Sequence, residues 1–158
     1  TLENSDESFI TIEEEVEYLT DYLSLEQLRF NHSFNFEIKV DKEIEDDFVK
    51  IPTMMLQPYI ENSIKHGVNG IENGMIQIEF KLLENDEILC VVEDNGRGRG
   101  QGKSEHKSMG TSILENRIEI LKEQFELDFS VKILDLKDSK DDPRGTRVEL
   151  LIPNLDLV

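Results

Sequence analysis

Two strand-like runs, Met75 to Leu83 and Glu87 to Glu93, are separated only by the polar turn Glu84-Asn85-Asp86, so they read as a β-hairpin. Part of the fold is therefore a sheet. A further half-buried strand is read where Phe34, Phe36, Ile38 and Val40 alternate with polar residues. Phe129 to Leu136 and Thr146 to Ile152 read as two more strands, joined by the polar loop from Lys137 to Arg144. Between these runs the period changes. Thr11 and Glu14 have the form of a capping box, and Ile12, Val16, Leu19 and Leu23 then recur at helical spacing, which predicts a helix to about Phe30. An acidic connection, Asp41 to Asp47, leads through Pro52 to a second helix with Pro58 near its start. A missing N–H costs least there, and a kink or break is expected just before it. A third helix is read from Ser112 to Phe125, with Ile113, Ile120, Leu121 and Phe125 as its apolar residues. The order helix, strand, helix, hairpin, helix, hairpin predicts a two-layer α/β (α+β) sandwich, its helices packed on one face of a mixed sheet.

The 158 residues suit one globular unit, able to bury roughly 70% of the unfolded surface. Cys90, the single cysteine, sits in the apolar run from Ile88 to Val92 and reads as a buried, inert thiol. No apolar run approaches the roughly 18 residues of a membrane span. The chain begins at Thr1 and reads as a piece of a longer protein whose membrane or sensory parts lie upstream.

A net charge of −18 argues against nucleic acid as a partner, because phosphate binding needs a basic surface. The charge is uneven, however. Between Gly96 and Lys107 stand Arg97, Arg99, Lys103 and Lys107 against Glu105, a net of +3 that leaves −21 for the rest. Glycines at 96, 98, 100 and 102 let backbone N–H groups approach a phosphate there, and residues 97 to 109 are expected to be mobile. Two familiar phosphate loops are excluded. A P-loop ending at Gly102-Lys103-Ser104 would need glycine at Arg97, and a dinucleotide GxGxxG fails at Gln101 and at Lys103.

The segment Pro58 to Gly67, PYIENSIKHG, places Asn62, Lys65 and His66 at i, i+3 and i+4. In a regular α-helix they share a face, opposite Leu56, Ile60 and Ile64. Asp94-Asn95-Gly96-Arg97-Gly98 follows at the end of an apolar strand. With Ile12 to Phe30 (IEEEVEYLTDYLSLEQLRF), Leu56 to Gly67 (LQPYIENSIKHG) and Gly145 to Pro153 (GTRVELLIP), these segments span nearly the whole chain in order. Together they resemble the C-terminal ATP-binding domain of LytS-like sensor histidine kinases. That domain belongs to the GHKL group and has the Bergerat-type ATP-binding fold.

The resemblance implies a set of roles. Residues 1–31 would be the helix leading from a phosphoacceptor region, and 32–158 the catalytic ATP-binding domain. Asn62 would ligate Mg²⁺ through its amide oxygen. Lys65 would stabilise phosphate as a point charge, and His66 would stack on the nucleotide or touch its ribose. Asp94 would accept from the adenine amino group, with Gly96 and Gly98 bringing backbone up to the base and Thr146 beside Asp94. Arg97, Arg99, Lys103 and Gly110 would belong to a lid over the phosphates. ATP and Mg²⁺ are the implied cofactors. The implied partners are a phosphoacceptor histidine helix of the same protein or a dimer mate, and a response regulator. The parent would be a homodimeric integral membrane protein of the bacterial cell membrane with this domain in the cytoplasm.

Departures from the family pattern matter too. The second glycine box, often GxGLGL, is here Gly110-Thr111-Ser112-Ile113-Leu114. Pro58 stands where related ATPases carry a glutamate base, and Glu61 lies about 100° around the helix from Asn62. Hydrolysis to water is not the expected main reaction. No NPHFLFN-like acceptor run precedes Ile12, so the ATP-dependent histidine kinase activity is not expected of this chain alone. Two other readings stand beside this one: a non-catalytic nucleotide-binding or dimerisation module, and an anti-sigma-factor-like serine kinase of the same fold.

Overall fold

The computed structural model describes residues 9–98, 109–126 and 128–155, with backbone alone at 109–111. Strand β1 (Phe9–Thr11) leads directly into helix α1 (Ile12–Arg29). Thr11 Oγ1 accepts from the Glu14 N–H at 3.1 Å while Glu14 Oε1 accepts from the Thr11 N–H at 3.1 Å, the reciprocal cap expected of this pair. Strands β2 (Phe34–Val40) and β3 (Lys50–Pro52) follow, then helix α2 (Gln57–Asn62), which widens into a π-helical turn over Ser63–Val68. After it come β4 (Gly74–Leu82), a 3₁₀ turn at Glu84–Asp86, β5 (Ile88–Asp94), helix α3 (Met109–Phe125), β6 (Ser130–Lys137) and β7 (Pro143–Ile152).

Among the described residues the main sheet has five strands in the order β2-β4-β5-β7-β6. β2 and β4 run parallel and the other neighbours antiparallel, so the sheet is mixed as expected. Period-2 alternation sends Ile76, Ile78 and Phe80 of β4, Cys90 and Val92 of β5, and Val148 and Leu150 of β7 into the core. The opposite face carries Glu37, Lys39, Gln77, Glu79, Glu93, Arg147 and Glu149. There Arg147 bridges Glu93 at 3.0 Å and Glu149 at 2.9 Å. One face of the sheet is thus apolar, and the helices pack on it. α1 contributes Ile12, Leu19 and Leu23, the α2 segment Tyr59, Ile60, Ile64 and Val68, and α3 Leu114, Ile118 and Leu121.

Four details differ from the sequence expectations. β1 and β3 form a two-stranded antiparallel ribbon, Phe9 opposite Pro52 and Thr11 opposite Lys50, where a plain connection was expected. Three-residue strands are too short to show a period. α3 starts at Met109, and its buried stripe is Leu114, Ile118 and Leu121, while Ile113 and Ile120 are 62% and 61% exposed. Helix α2 begins at Gln57 with Pro58 in its first turn, so the expected kink before Pro58 is simply the helix start. The buried stripe of α1 contains Glu15, 1% exposed, whereas Val16 is only half-buried. Glu15 Oε2 has no hydrogen-bond partner among the described residues. Desolvation pushes its carboxyl up to about 7, against the pull of the Arg117 charge. Arg117 in turn donates to the Thr53 carbonyl, tying α3 to the segment that leads into α2.

Candidate functional site

The site forms where the C-terminal end of the α2 segment meets the end of β5. Asp94 is the last residue of β5, and its register partners are Ile76 on β4 and Thr146 on β7. Even parity with Val92 and Cys90 turns its side chain toward the helix layer, where it is only 3% exposed. A buried carboxylate needs donors, and this one has them. Gly96 N–H donates to Oδ1 at 2.9 Å, and the Ser63 hydroxyl donates to Oδ2 at 2.8 Å. Burial pushes the Asp94 carboxyl up, while these two bonds and a backbone bond from Thr146 favour its charged form.

Two glycines allow the approach. A Cβ on Gly67 would stand 2.9 Å from the Asp94 carboxylate, and a Cβ on Gly96 would stand 2.2 Å from the Gly67 carbonyl carbon. The Arg97 N–H then donates to the Gly67 carbonyl at 3.2 Å, capping the end of the motif helix. Asn95 closes the other side of the turn. Its Oδ1 accepts from the Met75 N–H at 2.7 Å and its Nδ2 donates to the Asn73 carbonyl at 3.0 Å.

Asn62, Ser63 and Gly67 of the motif segment, Asp94, Gly96, Arg97 and Gly98 of the turn, and Thr146 of β7 all come to this one end of the sheet. Gly98, at φ 74°, lies against Pro143 and Gly145 at the start of β7. Lys65 and His66 are exposed on the last turn of the segment. Arg97 donates through Nη2 to the Asn69 carbonyl at 2.5 Å, so one of its nitrogens braces the loop after the motif. Gly110 lies in the first turn of α3. Arg99, Lys103 and residues 99–108 of the expected mobile lid lie outside the described residues.

The regular α-helix assumed for Asn62, Lys65 and His66 ends at Asn62. The helix is π from Ser63 to Val68, so its bonds reach one residue further and the 3.6-residue spacing lapses there. Asn62 is half-buried while Lys65 and His66 are exposed. The wide turn sets both Ser63 and Gly67 against Asp94. Ser63, Asn95 and Gly67 are contributors that the residue pattern left without a role. The adjacency of a hydroxyl to Asn62 and the Asn-Gly pair after Asp94 were the available signals.

This arrangement of a five-stranded mixed sheet under three helices is that of histidine kinase catalytic domains. The catalytic domain of the histidine kinase ThkA, in a nucleotide-free form, matches with a TM-score of 0.64 at 14% identity over 92% of this chain and 95% of that one. At that identity the likeness speaks for the fold. In sequence the chain is similar to the sensor histidine kinase BtsS of Escherichia coli strain K12, 28% identical over 146 residues, which are 92% of this chain and 24% of BtsS. It is also similar to the sensor protein LytS of Staphylococcus epidermidis strain ATCC 35984, 36% identical over 90 residues, 56% of this chain and 15% of that protein. The resemblance to LytS-like sensor histidine kinases read from the four segments is thereby shown. The chain spans about a quarter of the length of BtsS. No protein-family model matches it. No described helix is long and apolar enough to cross a membrane.

Proposed function

We propose that this chain is the catalytic domain of a LytS-like sensor histidine kinase, one that binds Mg·ATP and presents the γ-phosphate to a histidine outside residues 1–158. The observation that carries the reading is Asp94, a buried carboxylate held by Gly96 and Ser63 against the Asn62 segment. An acceptor at that position suits the 6-amino group of adenine and repels the 6-carbonyl of guanine. Gly96 and Gly98 keep backbone close to the base, and Thr146 borders it from β7.

Lys65 supplies an ammonium to phosphate oxygens as a point charge. His66 stacks on the nucleotide or touches its ribose, and Arg97, Arg99, Lys103 and Gly110 belong to the lid. Among the described residues no three His, Cys, Asp or Glu side chains stand close enough to hold a metal. Magnesium, which keeps much of its shell as phosphate oxygen and water, fits a site offering the single hard amide oxygen of Asn62. When bound, the ion neutralises charge on the phosphoryl group in transfer. The chain's own contribution is positioning and charge stabilisation.

The nucleophile is the histidine of an upstream helix, in the same protein or a dimer mate, with residues 1–31 leading from that region and 32–158 forming the catalytic domain. Transfer then continues to an aspartate of a response regulator. ThkA has been crystallised with the response regulator protein TrrA, in a structure that matches this chain at a TM-score of 0.59 and 14% identity over 92% of this chain and 41% of that one. The parent would be a homodimeric membrane sensor with this domain on the cytoplasmic side where ATP is found; of this, the names of BtsS and LytS support the word sensor.

The test is phosphate transfer from labelled Mg·ATP to a separately supplied helical segment that carries the acceptor histidine. Label should reach the segment, and Asn62→Ala should abolish transfer with an unchanged melting temperature. A folded wild-type chain that binds nucleotide and transfers nothing would replace this reading with the non-catalytic module.

A further inference from the structure

The hydroxyl of Ser63 is 2.8 Å from Asp94 Oδ2 and belongs to a residue only 7% exposed. An ionised carboxylate has no hydrogen to give, so Ser63 is the donor in this bond. A carboxylate has about four acceptor positions. The donors from Ser63 and Gly96 fill two of them, and a ligand amine takes one that remains. Two separate elements therefore clamp one side chain: the π turn holds Oδ2 and the glycine turn holds Oδ1.

We propose that Ser63 is a positioning residue for base recognition, which holds the Asp94 carboxylate as an oriented acceptor and so sets the preference for a 6-amino over a 6-oxo purine. This rests on the nucleotide-binding reading above. Without the Ser63 hydroxyl, Oδ2 is left buried with one donor fewer, and the carboxyl can turn or take up a proton to relieve that cost. Either change weakens acceptance from a 6-amino group. It also weakens the repulsion that a fixed, charged acceptor exerts on a 6-carbonyl. The hydroxyl thus acts on the difference between the two bases, which loss of packing alone would not do.

Inosine triphosphate isolates the 6-position, since its base lacks the 2-amino group of guanine. Binding of ATP and ITP, each with Mg²⁺, is measured by titration calorimetry on this chain and on Ser63→Ala, with melting curves for both. ATP affinity should fall about tenfold in Ser63→Ala while ITP affinity changes by less than about threefold, so that the ATP/ITP ratio collapses. An equal loss for the two nucleotides, or no change for either, overturns the assignment while leaving an ATP-selective wild-type site intact. A folded wild-type chain that binds neither nucleotide overturns the nucleotide reading itself, and the Ser63 assignment with it.

Discussion

Gly96 and Gly67 meet backbone against backbone, so closely that a Cβ on Gly96 would lie 2.2 Å from the carbonyl carbon of Gly67 and 2.3 Å from its oxygen. No side-chain rotation relieves a clash with backbone. The contact joins the end of the α2 segment to the β5 turn and is sealed by the Arg97 N–H on the Gly67 carbonyl. Gly96→Ala is therefore expected to force the two elements apart and to cost about 3 kcal/mol of stability or more, by the overpacking mechanism. Denaturant unfolding monitored by circular dichroism measures it. A loss below about 0.5 kcal/mol, the range of ordinary surface changes, would show that the two backbones separate freely.

Glu15 supplies a pH signature. Its carboxyl titrates near 7 in the folded chain against an ordinary 4.5, with desolvation the chief cause and Arg117 opposing it. Between those values the folded state holds a proton that the unfolded chain has released. Stability therefore falls as pH rises through that window and the full cost is present above about 7. Glu15→Gln should remove this dependence. Relative to the wild type it should gain stability steadily from pH 5 to pH 8, by up to about 3 kcal/mol at the upper end. A variant-to-wild-type difference that stays constant over that range, measured by urea unfolding, contradicts the buried-carboxyl account.

The local signals in the chain carried the elements well. The Thr11/Glu14 pair specified the start of α1 because a capping box is local chemistry, and the Glu84-Asn85-Asp86 turn specified the β4/β5 hairpin for the same reason. Asn85 and Asp86 do adopt φ of 61° and 60°. What the pattern could not show depends on tertiary contact. Parallel pairing of β2 with β4 is a choice made by the crossover between them. The π turn at Ser63–Val68 accompanies the contact of Ser63 and Gly67 with Asp94 on a distant strand, and local helical spacing gives no sign of that widening. Glu15 lies on the buried stripe with Ile12, Leu19 and Leu23, yet a glutamate is read by default as solvated. Of the site, Asp94, Gly96 and Asn62 stood out as residue types at motif positions, while Ser63 acquires its role only from where its neighbour across the fold lies.

The central claim is that Asp94 reads the base of a bound nucleotide, and calorimetric titration tests it most directly. Non-hydrolysable analogues of ATP and GTP, each with and without Mg²⁺, are titrated into the wild-type chain and into Asp94→Asn. The wild type should bind the adenine analogue, more tightly with Mg²⁺, and discriminate against the guanine analogue. Asp94→Asn should lose about ten- to a hundredfold in adenine affinity, the worth of a hydrogen bond to a charged group. An Asp94→Asn chain that binds the adenine analogue as tightly and as selectively as the wild type would contradict the account.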